Sequence, residues 1–171
     1  MKAIILAIAL LAVGGCATKA PTEATRIHDV ATADAPAIDA CWRKVLTSPQ
    51  HQTLRAKMGD HADSPTAAMK GNPGKATVEE AALLASLRAE YLVPCRKMAL
   101  ASAAKVHPAI VAILTESYGR ADANTQRLAT REISWGEYVS ENQAIVTHRR
   151  AELLAAGETM QRNLQQSPAA R

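Results

Sequence analysis

Phenylalanine is absent from this 171-residue chain, and tryptophan and tyrosine together make up only 3% of it. Sandwiches and barrels build their cores from aromatic and β-branched side chains, so the shortage argues against a sheet protein. Abundant alanine instead favours helices packed closely through small side chains, and the expected fold class is all-α, a small helical bundle. Charge of one sign is also scarce: 20 basic against 16 acidic residues leave a formal net charge of +4, too little to argue for nucleic acid. No His-Glu-x-x-His and no Gly-x-Ser-x-Gly occurs, and none of the five histidines has a partner four residues away. The motifs of a helical zinc protease and of a hydrolase elbow are therefore missing, and no enzyme, cofactor or metal centre is expected.

The one sustained apolar run lies at the start, where Lys2 precedes Ala3 to Val13 and then Gly14, Gly15 and Cys16. A basic residue, an apolar stretch of this length and small residues after it have the form of an export signal, too short to span a bilayer comfortably. Val13-Gly14-Gly15-Cys16 resembles the lipobox of bacterial lipoprotein signal peptides. The resemblance implies diacylglyceryl attachment to Cys16, cleavage before it and N-acylation, typically with palmitate, of the new terminus. It also implies the outer membrane as destination, because Ala17 rather than Asp follows the cysteine. The alternative is an ordinary secretory signal with a chance cysteine.

Three cysteines are present. If lipidation takes Cys16, then Cys41 and Cys95 remain as an even pair in an oxidising compartment, and they are expected to form one disulfide. Two separate buried thiols are the alternative. Loss of Lys2 with the signal leaves 19 basic against 16 acidic side chains, still a small excess.

The order of segments is then a signal peptide (1–15), a lipidated terminus and flexible tether (16–35), a helical domain (36–166) and a disordered tail (167–171). The tether reading rests on Ala, Thr, Asp and Pro21 without a sustained apolar period. Ile38, Cys41, Trp42 and Val45 recur at helical spacing, predicting a first helix from about Pro36 to Leu46. Ser48-Pro49 starts a second, through about Met58. Residues 59–76 hold most of the turn formers and predict a long surface loop. Thr77 and Glu80 form a capping box that opens a long helix, with Leu84, Leu87, Tyr91, Cys95 and Met98 on one face and a kink expected at Pro94, a break at Val93 being the alternative. That helix should end near His107, ahead of Pro108. Another should run from Pro108 to about Arg131. A second capping box, Ser134 with Glu137, predicts the last helix, with Ile133 as its hydrophobic staple. The short connection makes the last two helices an antiparallel hairpin, bringing Leu128 towards Tyr138 and Ser117 towards Arg149. From Thr77 to Gln165 the chain is loosely similar to small helical proteins exported by proteobacteria, a likeness of architecture that implies no activity.

Candidate sites are few. Asp60, His61 and Asp63, with His51 nearby, form the densest set of metal-ligand types, but in a stretch where such groups are ordinarily solvated. Glu79, Glu80 and Glu137 are accounted for by helix starts. Asn142 and Arg149 interrupt the apolar stripe of the last helix and need partners, for which the hairpin offers Asn124 and Glu116. They either fix the register of the hairpin or belong to a polar groove in which Arg127, Arg131, His148, Arg149 and Arg150 bind an anionic partner. Trp42 and Trp135 are expected as core anchors. Function is accordingly expected to be that of a lipid-anchored lipoprotein on the periplasmic face of the outer membrane, a non-catalytic module contacting an envelope protein or peptidoglycan. A periplasmic carrier of a small molecule or metal is the alternative, favoured by any pocket with convergent polar groups.

Overall fold

The computed structural model describes residues 23–166, which contain helices and no strand. The expected signal peptide, Cys16, the first part of the expected tether and the 167–171 tail lie outside the described residues. Seven helices follow in order: α1 Glu23–Thr47, α2 Pro49–Met58, the single turn α3 Ala67–Lys70, α4 Val78–Leu87, α5 Val93–Val106, α6 Pro108–Ala129 and α7 Trp135–Gln166. A π turn, Arg88–Leu92, joins α4 to α5.

The expected tether is helical from Glu23 onwards, so α1 begins thirteen residues before Pro36, which sits inside it on the exposed face. A proline there deprives one carbonyl of its donor, which is tolerated on a face open to solvent. The segment gains its partner in α5. Ile27, Val30, Asp34, Ile38 and Cys41 are half-buried at three and four spacing. Arg26 Nη1 donates to the Lys105 carbonyl at 2.7 Å, and Lys105 Nζ pairs with Asp34 at 2.9 Å. Packing against another helix thus stabilises what composition alone leaves undecided.

Local cap chemistry sets the other starts. Ser48 Oγ accepts from the His51 amide at 3.2 Å, Thr77 Oγ1 from the Glu80 amide at 3.2 Å, and Glu80 Oε2 answers by accepting from the Thr77 amide at 3.0 Å. At α7 the Glu137 carboxylate accepts from the Ser134 amide at 2.6 Å, while Ser134 Oγ accepts from the Glu137 amide at 3.2 Å. Ile133 and Tyr138 are both buried in the same cluster, as a staple requires.

Pro94 does not simply bend the helix it enters. Ahead of it the Val93 amide donates to the Arg88 carbonyl, one residue further back than in an α-helix, which makes the π turn. The extra residue has a packing consequence. Eight positions separate Leu87 from Cys95, which would place them about 80° apart on an ideal helix, and the inserted residue returns Cys95 to the face of Leu87. Both are buried, 2% and 1% exposed, whereas Met98 of the expected stripe is exposed. Cys41 and Cys95 are joined by a disulfide with Cα atoms 5.5 Å apart, stapling α1 to α5.

Residues 59–76 are more ordered than a surface loop. Thr66 caps α3, Ala76 is buried in the core, and carbonyls of the segment reach the head of α7: the Trp135 amide donates to Gly74 O at 2.8 Å and the Gly136 amide to Asn72 O at 2.9 Å. Together with the Ser134 cap, these bonds satisfy the first three amides of α7, which have no acceptor within the helix. Gly136 is required by the approach: a Cβ there would lie 2.3 Å from the Lys70 carbonyl oxygen.

Leu54, Leu84, Leu128, Ile133, Trp135, Tyr138 and Val139 form the main core beneath these contacts. A second cluster, Val45, Leu87 and Cys95, lies around the disulfide, with Trp42 and Tyr91 packed against it. α6 and α7 run antiparallel: Asn124 Nδ2 donates to the Tyr138 carbonyl at 2.9 Å and to Asn142 Oδ1 at 3.1 Å, and further along Arg149 Nη1 reaches Ser117 Oγ at 3.5 Å. The apolar stripe of α7 is buried to Ile145 and half-buried from Val146 onwards. No described helix is long and apolar enough to cross a membrane.

Candidate functional site

The hairpin cations do not converge on one groove. Arg127 pairs with Glu141 at 3.0 Å, His148 Nε2 lies 3.4 Å from Glu152, and Arg150 pairs with Asp63 at 2.8 Å, all on exposed surface. Arg131 is in the turn after α6, with φ 63°. Arg149 alone turns inward. Its expected acid, Glu116, is exposed to solvent, and the neighbouring Ser117, 5% exposed, faces α7 in its place. One residue of register decides this, because adjacent positions on a helix point about 100° apart.

The histidine and aspartate set of α2 and the following loop is dispersed in the same way. His51 is buried, Asp60 accepts from Arg55 at 2.7 Å, and Asp63 is engaged by Arg150 while its carbonyl accepts from Gln143 at 3.2 Å. The Arg55 guanidinium bonded to Asp60 and the Arg150 guanidinium bonded to Asp63 hold both carboxyls below the usual range. Among the described residues no three His, Cys, Asp or Glu side chains are grouped to hold a metal ion.

Two concavities flank this region. An open groove of about 670 Å³ lies between α2 and the following loop, lined by Arg55, Asp60, His61 and Met69. Next to it, a narrower cleft of about 200 Å³ has apolar walls from Trp42, Val45, Leu92 and Val139 and presents His51 and Asn142. His51 Nδ1 is buried without a hydrogen-bond partner. Trp42, expected as a core anchor, is half-buried and walls this cleft, whereas Trp135 is fully buried.

A cluster that sequence reading did not single out lies where α5, α6 and α7 meet. Asp122 of α6 accepts from Arg88 of the π turn at 2.7 Å and from Arg96 of α5 at 2.6 Å. Burial pushes its carboxyl up, but the two guanidiniums outweigh that and hold it below the usual range. The Arg96 guanidinium also lies over the Tyr118 ring, 4.9 Å from its centroid, a cation–π contact. Burial raises the Tyr118 phenol, so it remains a neutral donor at physiological pH. On the other side stands Arg149, whose charge is disfavoured first by burial and also by Arg96 and Arg150, against favourable effects of Tyr118 and Asp63. In sequence the cluster is signalled by Arg149, which interrupts the apolar stripe of the last helix, and by Arg96, which directly follows the inward Cys95. Its remaining members come from the π turn and α6, whose alignment with α5 and α7 no local pattern encodes.

No family model matches this chain, and no curated protein or solved structure matches it.

Proposed function

We propose that this chain is a lipid-anchored, non-catalytic module on the periplasmic face of the outer membrane, which contacts an envelope protein or peptidoglycan through its helical surface. The observation that carries the reading is the Cys41–Cys95 disulfide. Structural disulfides persist in oxidising compartments, and this one uses both cysteines other than the lipobox residue Cys16. Labelling of cells with a clickable palmitate analogue, followed by membrane fractionation, tests the anchor. Label is expected in the outer-membrane fraction for the natural chain and is lost in Cys16→Ser. Unlabelled chain retained in the cytosol with its leader intact would overturn the proposal. Crosslinking in intact cells, read by mass spectrometry, then identifies the partner.

A second reading, a carrier of a small molecule, is favoured by the 200 Å³ cleft that His51 and Asn142 help to line. Apolar walls with one or two convergent polar atoms are the composition of a small-ligand site. Native mass spectrometry of protein taken from the envelope decides it: a small mass adduct released on denaturation supports a carrier, and the bare polypeptide mass does not.

A further inference from the structure

Around the junction of α5, α6 and α7, four guanidinium groups, Arg88, Arg96, Arg149 and Arg150, meet only two carboxylates. Asp122 takes Arg88 and Arg96, and Asp63 takes Arg150. Arg149 is left over. Its guanidinium carries five N–H donors, and its one hydrogen bond to a described residue is the 3.5 Å contact to the neutral Ser117 hydroxyl, at the outer limit of such a bond. A half-buried charge without a bonded counterion is costly, and burial with the repulsion of Arg96 and Arg150 outweighs the favourable effect of the more distant Asp63, which is engaged by Arg150. A hydroxyl at that distance does not compensate a full charge.

Unfilled donors point to what would. Arg96 Nε is buried and has no partner, and the Tyr118 phenol, raised by burial, feels the charges of Arg149 and Arg96 with no hydrogen bond acting on it. Ser117 and Tyr118 are consecutive on α6, with Arg149 reached by the first and Arg96 stacked on the second. We propose that Arg149, Tyr118 and Ser117, backed by Arg96, form a binding site for an oxyanion, the carboxylate or phosphate group of a larger ligand. Planar guanidinium forks match both groups in geometry, and the hydroxyls supply neutral donors beside them. The proposal deepens the interaction reading and rests on it only for the ligand's origin in the envelope.

Thermal melting of the full chain in detergent, at fixed ionic strength made up with sodium chloride, tests the site with two probes, sodium acetate and inorganic phosphate. At a concentration about ten times Kd, a bound anion should raise the melting temperature by about 4 °C. The readout is the difference between the natural chain and Arg149→Met, which subtracts general salt effects on stability. The rise is expected to vanish in Arg149→Met, whose melting point without anion equals or exceeds the natural one because an unpaired charge is gone. Tyr118→Phe, which removes one hydroxyl, should weaken binding several-fold and leave melting without anion unchanged. A response to acetate alone identifies a carboxylate ligand, and a response to phosphate alone a phosphate. An equal rise in Arg149→Met, or no rise with either probe in the natural chain, overturns the site. So does Arg149→Met melting well below the natural chain while Tyr118→Phe binds normally, since Arg149 would then be a structural pair with Ser117. Cys16→Ser should bind as the natural chain does, so failure of the anchor and failure of the site are told apart.

Discussion

The indole Nε1 of Trp135 donates to Glu80 Oε2 at 3.3 Å, the same oxygen that accepts from the Thr77 amide. The capping box of α4 is thereby tied to the first residue of α7. The other carboxylate oxygen pairs with Lys57 of α2, whose ammonium lies 5.3 Å from the Trp135 ring centroid. One side chain thus joins three helices. Glu80→Ala would leave the buried indole and the Thr77 amide without acceptors, and should cost about 2–3 kcal/mol. Glu80→Gln keeps an acceptor at the cap and loses the ion pair, so about 1 kcal/mol is expected. Urea unfolding of the two variants measures both. Equal, small losses would mean that Glu80 is only a surface cap.

The same residue predicts a pH dependence. Burial pushes the Glu80 carboxyl up, but the Lys57 ammonium and the Thr77 and Trp135 donors outweigh it and hold the group below the usual carboxylate range. Asp122, between Arg88 and Arg96, is held low in the same sense. A carboxyl with a depressed folded-state pKa contributes stability that is complete above its ordinary value and is lost as pH falls through the depressed one. Melting temperature should therefore fall on acidification below about pH 4. In Glu80→Gln/Asp122→Asn the fall should be shallower. An unchanged slope in that double variant would assign acid sensitivity to other groups.

At Gly136 two physical effects have opposite signs. Inside a helix, alanine is favoured over glycine by about 1 kcal/mol. Here, however, the added Cβ would meet Lys70 O at 2.3 Å and Asn72 O at 2.9 Å, both backbone atoms that cannot rotate away. Overpacking of this kind costs about 1–3 kcal/mol, so Gly136→Ala should lower the melting temperature and loosen the 67–76 segment from α7. Faster hydrogen exchange at the Trp135 and Gly136 amides would accompany it. A variant melting at or above the natural chain would show that the segment is not pinned there.

What sequence discloses and what it hides divides along the range of the interactions. The starts at Ser48, Thr77, Pro108 and Ser134 are legible because a cap is settled within four residues. So are the hairpin contacts of Asn124 with Asn142 and Ser117 with Arg149, since a short connection fixes an antiparallel register. Glu23–Ala35 reads as a tether because its helicity depends on α5, some seventy residues away. The docking of Asn72 and Gly74 onto α7 is hidden for the same reason. The Arg96, Tyr118 and Arg149 cluster needs three helices to be placed before its residues become neighbours. The fold class and the disulfide could be anticipated, whereas the inward cation could be anticipated only as a residue in want of a partner.

Arg131 occupies a position that suits glycine. The Glu132 amide donates to Arg127 O at 2.9 Å and the Arg131 amide to Leu128 O at 3.0 Å, the paired bonds of a Schellman motif, with Arg131 in the left-handed conformation at φ 63°. For a residue with a Cβ this conformation costs about 1 kcal/mol. Arg131→Gly should therefore stabilise the fold by about 0.5–1 kcal/mol, read as a higher urea midpoint with an unchanged slope. If Arg131 contributes to partner binding, the stabilised variant would lose that partner, which separates the two roles in a single protein.

The last expectation concerns the staple. The Cys41–Cys95 bond closes a sequence separation of 54 residues, for which chain entropy gives a stabilisation of about 4 kcal/mol. Its local effect is more specific. The polar links from the first half of α1 to α5, Arg26 with the Lys105 carbonyl and Asp34 with Lys105, are exposed, and the ion pair in such a setting contributes at most about 1 kcal/mol. The hydrophobic cluster that contains Cys95 lies beside the disulfide, so α1 depends on the bond more than any other helix does. Cys41→Ser/Cys95→Ser should release α1 before the remainder unfolds. Limited proteolysis is then expected to cut first between Glu23 and Thr47, while the α6–α7 hairpin, held by the Leu128, Trp135 and Tyr138 core, stays protected. Simultaneous cleavage throughout the chain would mean that the two clusters unfold as one unit and that the staple stabilises them equally.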